Sequence, residues 1–418
     1  MSFEEKNVKA ELCLHEHDHR ELNKKHHYYH SEENIGAGLP LWLPAGVVLR
    51  DELEKFAREL EFFAGFQRVV SPHIAKEDLY HQSGHLPYYE DSMFPPIELE
   101  NVRYRLRPMC CPHHHKIYSS QLRSYRDLPL RLAEYGQVYR YERSGVLSGL
   151  MRARGLCQND AHLYCRPDQV KNEIKKVLQM YQEAYRVLRI SEYRVRLSKW
   201  GGSSDGKYVP FPEKWVWAEG VLRDVLIELQ WPFNEEEGEA AFYGPKIDIQ
   251  LKNIYGKEES ASTVQLDFIS AERFDLSYID ENGKAVRPLI LHRAPLGSHE
   301  RMVSFLIEKY KGAFPLWLSP VQVKILPIAE RHFEWGREVQ KALHNAFVRV
   351  EIDERIESLS KKVAEAQAEQ VPYVLVIGDR EVQDQSVSIR KRGEGKSVVS
   401  SLKRLLQDLK EQIRMRSI

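Results

Sequence analysis

Residues 139–162, YRYERSGVLSGLMRARGLCQNDAH, hold the densest set of chemically capable groups in this chain. Two alternating segments flank a loop carrying Arg140, Arg143, Arg152 and Arg154, with Glu142 beside the first and glycines at 145, 149 and 155. Arginine forks bind phosphate through paired, charge-assisted hydrogen bonds, and glycine lets backbone approach it closely. A β-hairpin with such a loop is suited to wrap a polyphosphate. The stretch ends in Asp160 and His162, a carboxylate and a metal-ligand type, which a strand's period of two places on one face. The pattern predicts a nucleotide and a small amine bound side by side.

Two wider constellations join this hairpin. Cys111 in RPMCCPHHHK, His162, and His292 in LILHRAPLG can converge on one metal. Their separations are long, so the pattern is weak compared with a C-x-x-C pair. Buried core histidines and apolar Cys110 and Cys111 are the plainer alternative, and His113, His114 and His115 compete as ligands. The second constellation is a phosphate clamp of Arg140, Glu142, Arg152, Lys246 in YGPK, and Arg301 in LGSHER. Taken singly, each of these reads as a surface ion pair.

These groups need a scaffold, and 418 residues suggest two or three domains. The chain is 42% hydrophobic and 29% charged with zero net charge, so nucleic-acid binding must use local patches rather than a bulk basic field. No apolar run reaches membrane-spanning length and the first residues are acidic rather than signal-like, which points to the cytosol. Five cysteines, at 13, 110, 111, 157 and 165, are too few and too unevenly placed for a disulfide scaffold.

Residues 1–30 are polar and His-rich, with His15 and His19 four apart. They read as a solvated entry segment with nothing apolar to anchor it. Leu49, Leu53, Phe56, Leu60 and Phe63 mark a helix with Gly65 as its stop, followed by a strand FQRVV ending before Pro72. Residues 102–118 read as strand, then CCPHHH, then helix, and a second helix spans about Gln169–Leu188. Beyond it strands dominate: AFYGPKIDIQL, ASTVQLDF and RPLILHRAPLG, the last leading into a helix SHERMVSFLIEKY. This is an antiparallel sheet backed by helices, an α+β unit, and excludes a doubly wound dinucleotide fold. After a linker at 312–320 the rhythm becomes βαβα, a small α/β domain with a mostly parallel sheet. The boundaries expected are 1–30 for the entry segment, 31–314 for the α+β domain and 315–418 for the α/β domain.

These residues together resemble class II aminoacyl-tRNA synthetases, within them the threonyl-tRNA synthetase family, over nearly everything from HDHRELNKK onward. FQRVVSPHI is similar to motif 1, with its proline at Pro72; AEYGQVYRYERSG to motif 2; APLGSHERMVSF to motif 3. RPMCCPHH, LMRARGLCQNDAH, AFYGPKID, TVQLDF and LHRAPLGSHER are the family's distinguishing set. The resemblance implies Zn2+ on Cys111, His162 and His292, and L-threonine contacts at Asp160, Tyr243, Gln265 and Met109. It implies ATP contacts, with Mg2+, at Arg140, Glu142, Arg152, Lys246 and Arg301. Arg140 and Arg301 neutralise charge developing at the α-phosphate, and His85 in HQSGHLPYYED serves transfer to the terminal ribose. The C-terminal domain resembles an anticodon-binding domain, with Glu381 and Arg390 as tRNA contacts. Motif 1 implies a homodimer.

Three protein ligands leave zinc an open position, as in a site that binds a reactant. Serine lacks only threonine's methyl, so discrimination by binding stalls at roughly 10–200-fold. Family members usually add an editing domain for this, and the expectation here is that the chain has none in cis. The chain departs from the family at Cys110, His113 and Ser260, and at Ile356 and Ser358, where anticodon or adjacent phosphate contacts are expected. Three readings follow: a threonine–tRNA ligase, a threonine-activating paralogue serving a carrier protein, and a non-catalytic relative. The complete set of Arg140, Glu142, Arg301, Cys111, His162 and His292 argues against the last, and the retained C-terminal domain with Arg390 favours the first.

Overall fold

The computed structural model describes residues 16–202 and 206–417. The chain divides into two compact units: Ser31–Leu41 with Glu54–Phe305, and Met1–His30 with Trp42–Leu53 and Leu306–Ile418.

The first unit is built on an eight-stranded sheet. In chain order its strands are β1 (Gln67–Arg68), β2 (Leu130–Tyr139), β3 (Gly155–Cys165), β4 (Arg194–Lys199), β5 (Asn234–Glu237), β6 (Lys246–Lys252), β7 (Glu258–Asp267) and β8 (Leu289–Ala294). They lie side by side as β5-β4-β6-β7-β8-β3-β2-β1. The five neighbour pairs from β4 to β2 are antiparallel, while the edge pairs β5–β4 and β1–β2 are parallel. Register decides which side chains share a face, because directly opposed residues point the same way. Lys246 opposes Gln265, Gln265 opposes His292, and His292 opposes His162. A single rung across β6, β7, β8 and β3 thus carries four of the expected site residues.

Four helices matter to the site: α1 (Cys111–Ser119), α2 (Val170–Val187), α3 (Pro212–Glu228) and α4 (His299–Tyr310). α2 covers the sheet with Ile174, Val177, Leu178, Tyr181 and Tyr185, all buried. Tyr181 donates to the Thr263 carbonyl and the Tyr185 hydroxyl meets Ser262 Oγ at 2.7 Å, which fixes the helix against β7. Each fully buried side chain of this size contributes about 1.5–3 kcal/mol. α3 corrects the expectation that strands dominate after α2. Its periodicity is blurred because Val216, Trp217 and Ile227 are exposed on the face opposite buried Trp215, Leu222 and Leu226. CCPHHH is not a link before a helix but the first turns of α1, with Pro112 at a position that needs no backbone donor.

In the second unit, strands β9 (Val323–Pro327), β10 (Val350–Ile352), β11 (Tyr373–Ile377), β12 (Ser386–Lys391) and β13 (Val398–Ser401) order as β10-β9-β11-β12-β13. They alternate with α5 (Phe333–Asn345), α6 (Leu359–Ala368), α7 (Asp379–Gln383) and α8 (Leu402–Met415). Val339, Leu343, Leu405 and Leu409 pack on Val323, Ile325 and Leu375 as one core. The sheet is mixed rather than mostly parallel: β9 pairs in parallel with β10 and β11, while β12 runs antiparallel to β11 and β13. Val398–Ser401 is a strand that leads straight into α8, and Ser401 caps that helix by accepting from the Arg404 amide.

The entry segment is also anchored, against expectation. Its helix His19–His26 starts at the Asp18 cap, and Asp18 and His19 are buried. His19 Nδ1 meets Glu308 at 2.8 Å, and buried Tyr28 meets the Phe314 ring edge-on. Polar composition concealed this because the anchors are hydrogen bonds and tyrosine rings. His15, the other half of the sequence pair, lies outside the described residues.

Candidate functional site

The sheet face opposite α2 opens into a cleft of about 380 Å³. Its floor is Asp160 and His162 from β3, His292 and Ala294 from β8, Thr263 and Gln265 from β7, and Lys246 and Asp248 from β6. Two glycines let backbone close around it. A Cβ on Gly244 would sit 1.9 Å from the Leu266 carbonyl, and one on Gly297 (φ +57°) 2.3 Å from that of Ala261.

The hairpin of the sequence reading is β2–β3, with its ends joined in register by Tyr139 opposite Gly155. Arg140, Glu142 and Arg152 rise from its connecting loop and Arg301 from α4, and all four line the cleft with Lys246. Glu142 receives Arg152 at 2.9 Å, Lys246 lies 3.1 Å from Asp248, and Arg301 donates to the Ser260 and Met151 carbonyls. Burial lowers the Arg301 pKa from its usual value. Glu259 works against that shift, while Arg140 and Arg152 add to it. Like charges gathered in a buried cleft form a site whose repulsion an anion relieves.

At the other end, Cys111 Sγ and one nitrogen each of His162 and His292 lie within 4.8 Å of one another, all buried. His162 Nε2 faces His292 Nδ1 at 2.9 Å. His292 Nε2 meets Asp267 at 2.9 Å, and although burial would raise this carboxylate, bonds from His292 and Ser270 hold it down to about 2. An ionised carboxylate only accepts, so the His292 proton sits on Nε2 and its Nδ1 lone pair turns to the cluster. One sulfur and two imidazole nitrogens converging in this way suit Zn2+. A further helical turn holds the neighbouring histidines. His114 bridges His162 Nδ1 (2.8 Å) and Glu134 (3.0 Å), and His115 meets the Tyr164 hydroxyl (3.0 Å). Neither belongs to the metal-competent group.

Asp160, Tyr243, Gln265 and Met109 also line the cleft. Burial raises the Asp160 carboxyl, the environment of a group waiting for a cation. Tyr243 stacks on His292 at 4.6 Å and donates to Gln265 at 2.6 Å, and Gln265 donates to Thr263 Oγ1 at 2.7 Å. His85 does not line the cleft. It is buried behind it, bonded through Nδ1 to Ser83 (2.8 Å), with Nε2 3.8 Å from Cys111 Sγ, and burial lowers its pKa to about 3. From that segment the cleft receives Tyr88 and Tyr89.

On the second unit, Glu381 Oε2 accepts from the Gly378 amide at 2.9 Å and so caps α7, and half-buried Arg390 lines a groove with Gln367 and Arg392. Ser358 caps α6 by accepting from the Lys361 amide, and Ile356 is 87% exposed. The sequence reading missed Asp267. Its signal was present: it stands two residues after Gln265 on β7 and therefore shares that residue's face.

Residues 96–310 match the tRNA synthetase class II core domain (G, H, P, S and T), and residues 322–412 an anticodon binding domain. A threonine–tRNA ligase of Geobacillus sp. (strain WCH70) is 46% identical over 400 residues, covering 96% of this chain and 62% of its own length. Threonine–tRNA ligase 1 of Bacillus subtilis (strain 168) is 45% identical over 93% of this chain and 60% of its own. The chain thus spans about three fifths of these relatives. The crystal structure of the RNA binding domain of threonyl-tRNA synthetase from Cryptosporidium parvum Iowa II superposes with a TM-score of 0.90 at 35% identity, over 94% of this chain and 98% of that one. A prolyl-tRNA synthetase of Cryptosporidium parvum, 16% identical with a TM-score of 0.69, shares the fold over 95% of this chain and 76% of its own. The chain belongs to the class II aminoacyl-tRNA synthetases, in the threonyl-tRNA synthetase family.

Proposed function

We propose that this chain activates L-threonine with ATP and transfers it to the 3′ end of threonine tRNA. The observation that carries the reading is one cleft lined by two chemically distinct groups, a cluster of arginines and a buried Cys–His–His group, with Asp160 in the same lining. In the first step a threonine carboxylate oxygen bonds to the ATP α-phosphorus and the bond to pyrophosphate breaks. Arg140 and Arg301 offset the charge that builds on the phosphoryl oxygens. Arg152, Glu142 and Lys246 orient the nucleotide, whose phosphates carry Mg2+.

The donor set fits zinc: a thiol and two imidazole nitrogens, each histidine bonded at its other nitrogen. Cys111, His162 and His292 would hold the zinc, which would supply Lewis-acid binding to threonine's amine and hydroxyl. Asp160 holds the substrate's amine or hydroxyl proton, the Tyr243–Gln265 pair fixes one wall, and Met109 lines the other. Valine, lacking the hydroxyl, is rejected by roughly 10⁴-fold or more; serine only by roughly 10–200-fold.

In the second step the terminal ribose hydroxyl attacks the threonyl carbonyl and AMP leaves. His85, which the resemblance assigns to this step, is buried behind the cleft with Nδ1 on Ser83 and Nε2 facing Cys111 Sγ, so it does not reach the hydroxyl and is given no part in the transfer. Glu381 and Arg390 read the anticodon. Exposed Phe62, Phe63 and Val70 flank the motif 1 strand and are the apolar face through which we propose a homodimer, checked by mass in solution. The reading places the enzyme in the cytosol and includes no editing by this chain, so seryl-tRNA stays intact in a deacylation assay. Charging of threonine tRNA with labelled threonine tests the whole. Adenylate formation without charged tRNA would turn the reading toward another acceptor.

A further inference from the structure

His162 presents its lone pair to the cluster only if its proton sits on the far nitrogen, and the structure holds a device for that. On α1, Cys111 and His114 are three residues apart and share one face, so a single helical turn delivers both a metal donor and a neighbour for another donor. His114 Nε2 lies 3.0 Å from Glu134 Oε2, and His114 Nδ1 lies 2.8 Å from His162 Nδ1. Glu134 is itself fixed on β2. It accepts from the Ser71 amide (3.0 Å), the Ser71 hydroxyl (2.7 Å) and Arg107 (3.1 Å), with every partner buried.

The proton count along this line follows from the donors. A carboxylate accepts, so the Glu134–His114 bond uses the Nε2 proton of His114. With His114 neutral its Nδ1 is a lone pair, so the proton of the Nδ1–Nδ1 contact comes from His162, and His162 Nε2 is left bare toward Cys111 and His292. Across the cluster, Asp267 does the same for His292 in one step at 2.9 Å. His113 has no such part, since both its ring nitrogens lack partners, and His115 is bonded to Tyr164.

We infer that His114, held by Glu134, is a positioning residue for metal binding: it fixes the His162 tautomer that makes Cys111–His162–His292 a ready three-donor site. This rests on the zinc reading above. Outer partners of metal-bound histidines change metal affinity by about 10–100-fold when removed.

Two amides one methylene apart test it. His114→Asn places an amide oxygen where Nδ1 stands and keeps an acceptor for His162. His114→Gln places its amide near Nε2, keeping a partner for Glu134 but none for His162. Zinc affinity of the full chain is measured by chelator competition, and Co2+ substitution reads the ligand set from its visible spectrum. Thermal melts of the metal-free proteins establish that each variant folds. Expected are near wild-type zinc affinity for H114N, a fall of about 10–100-fold for H114Q, and recovery of threonine-dependent pyrophosphate exchange by H114Q at saturating zinc. Equal affinities for the two variants, or the order that side-chain volume predicts (H114Q above H114N), would overturn the inference. Should H114Q not fold, H114N alone decides, since a fall of 10-fold or more in a folded H114N contradicts the acceptor role. A wild-type chain that binds no zinc would remove the inference together with the reading beneath it.

Discussion

In the cleft, Cys111, His162 and His292 are buried and the two imidazoles are each tied to a second residue, so their geometry is set before any ligand arrives. On the C-terminal domain, Glu381 spends a carboxylate oxygen on capping α7, and Arg390 stands half-buried beside a groove. On the function proposed above, the contrast is between chemistry and anticodon reading. Stabilising a transition state demands donors fixed within a fraction of an ångström, and burial with hydrogen bonding supplies that. A base or phosphate contact tolerates side chains that settle on binding, at lower cost to the free protein.

The contrast can be broken by variants that separate exchange from charging. Arg301→Ala should lower threonine-dependent pyrophosphate exchange by about 10²–10³-fold, and charging with it; an unaffected exchange rate would remove Arg301 from the activation step. The buried cleft should also announce itself in acid. Burial works to raise Glu134, but bonds from His114 and Ser71 hold it down to about 2 from an ordinary 4.5. Its folded-state pKa is depressed, so its contribution is present above pH 4.5 and lost as pH falls toward 2. That contribution is on the order of 3 kcal/mol. Urea unfolding across that window should show a steeper loss for the wild type than for Glu134→Gln, and parallel curves would contradict the shift. Arg390→Ala should raise the KM for tRNA by about tenfold, a cost of about 1.4 kcal/mol, and leave exchange unchanged. Smallest is Ser358→Ala, which removes the α6 cap and should cost about 1 kcal/mol in thermal unfolding with little change in tRNA affinity.

What could be read from sequence follows the same division. α2 announced itself through a clean helical stripe because it buries one face, whereas the β2–β3 hairpin was legible from its basic, glycine-punctuated loop, both of its strands being covered on two faces. α3 stayed hidden because Val216, Trp217 and Ile227 put apolar side chains on its outer face as well. The mixed C-terminal sheet was read as mostly parallel because the antiparallel pairing of β12 with β13 leaves no mark on the composition of either strand. Cys111, His162 and His292 could be named from residue type only as a weak constellation, since strand register rather than spacing brings His162 opposite His292. Asp267 could have been found from its place two residues after Gln265, but the pairing of His114 with Glu134 and His162 was beyond sequence reasoning. Their roles depend on which ring nitrogen faces which neighbour.

The central claim is that a zinc-competent donor set selects the amino acid by its hydroxyl. Pyrophosphate exchange by the zinc-loaded chain with L-threonine, L-serine and L-valine tests it directly. The account predicts a kcat/KM for serine lower by roughly 10–200-fold and for valine lower by roughly 10⁴-fold or more. Exchange with valine comparable to that with threonine would contradict it.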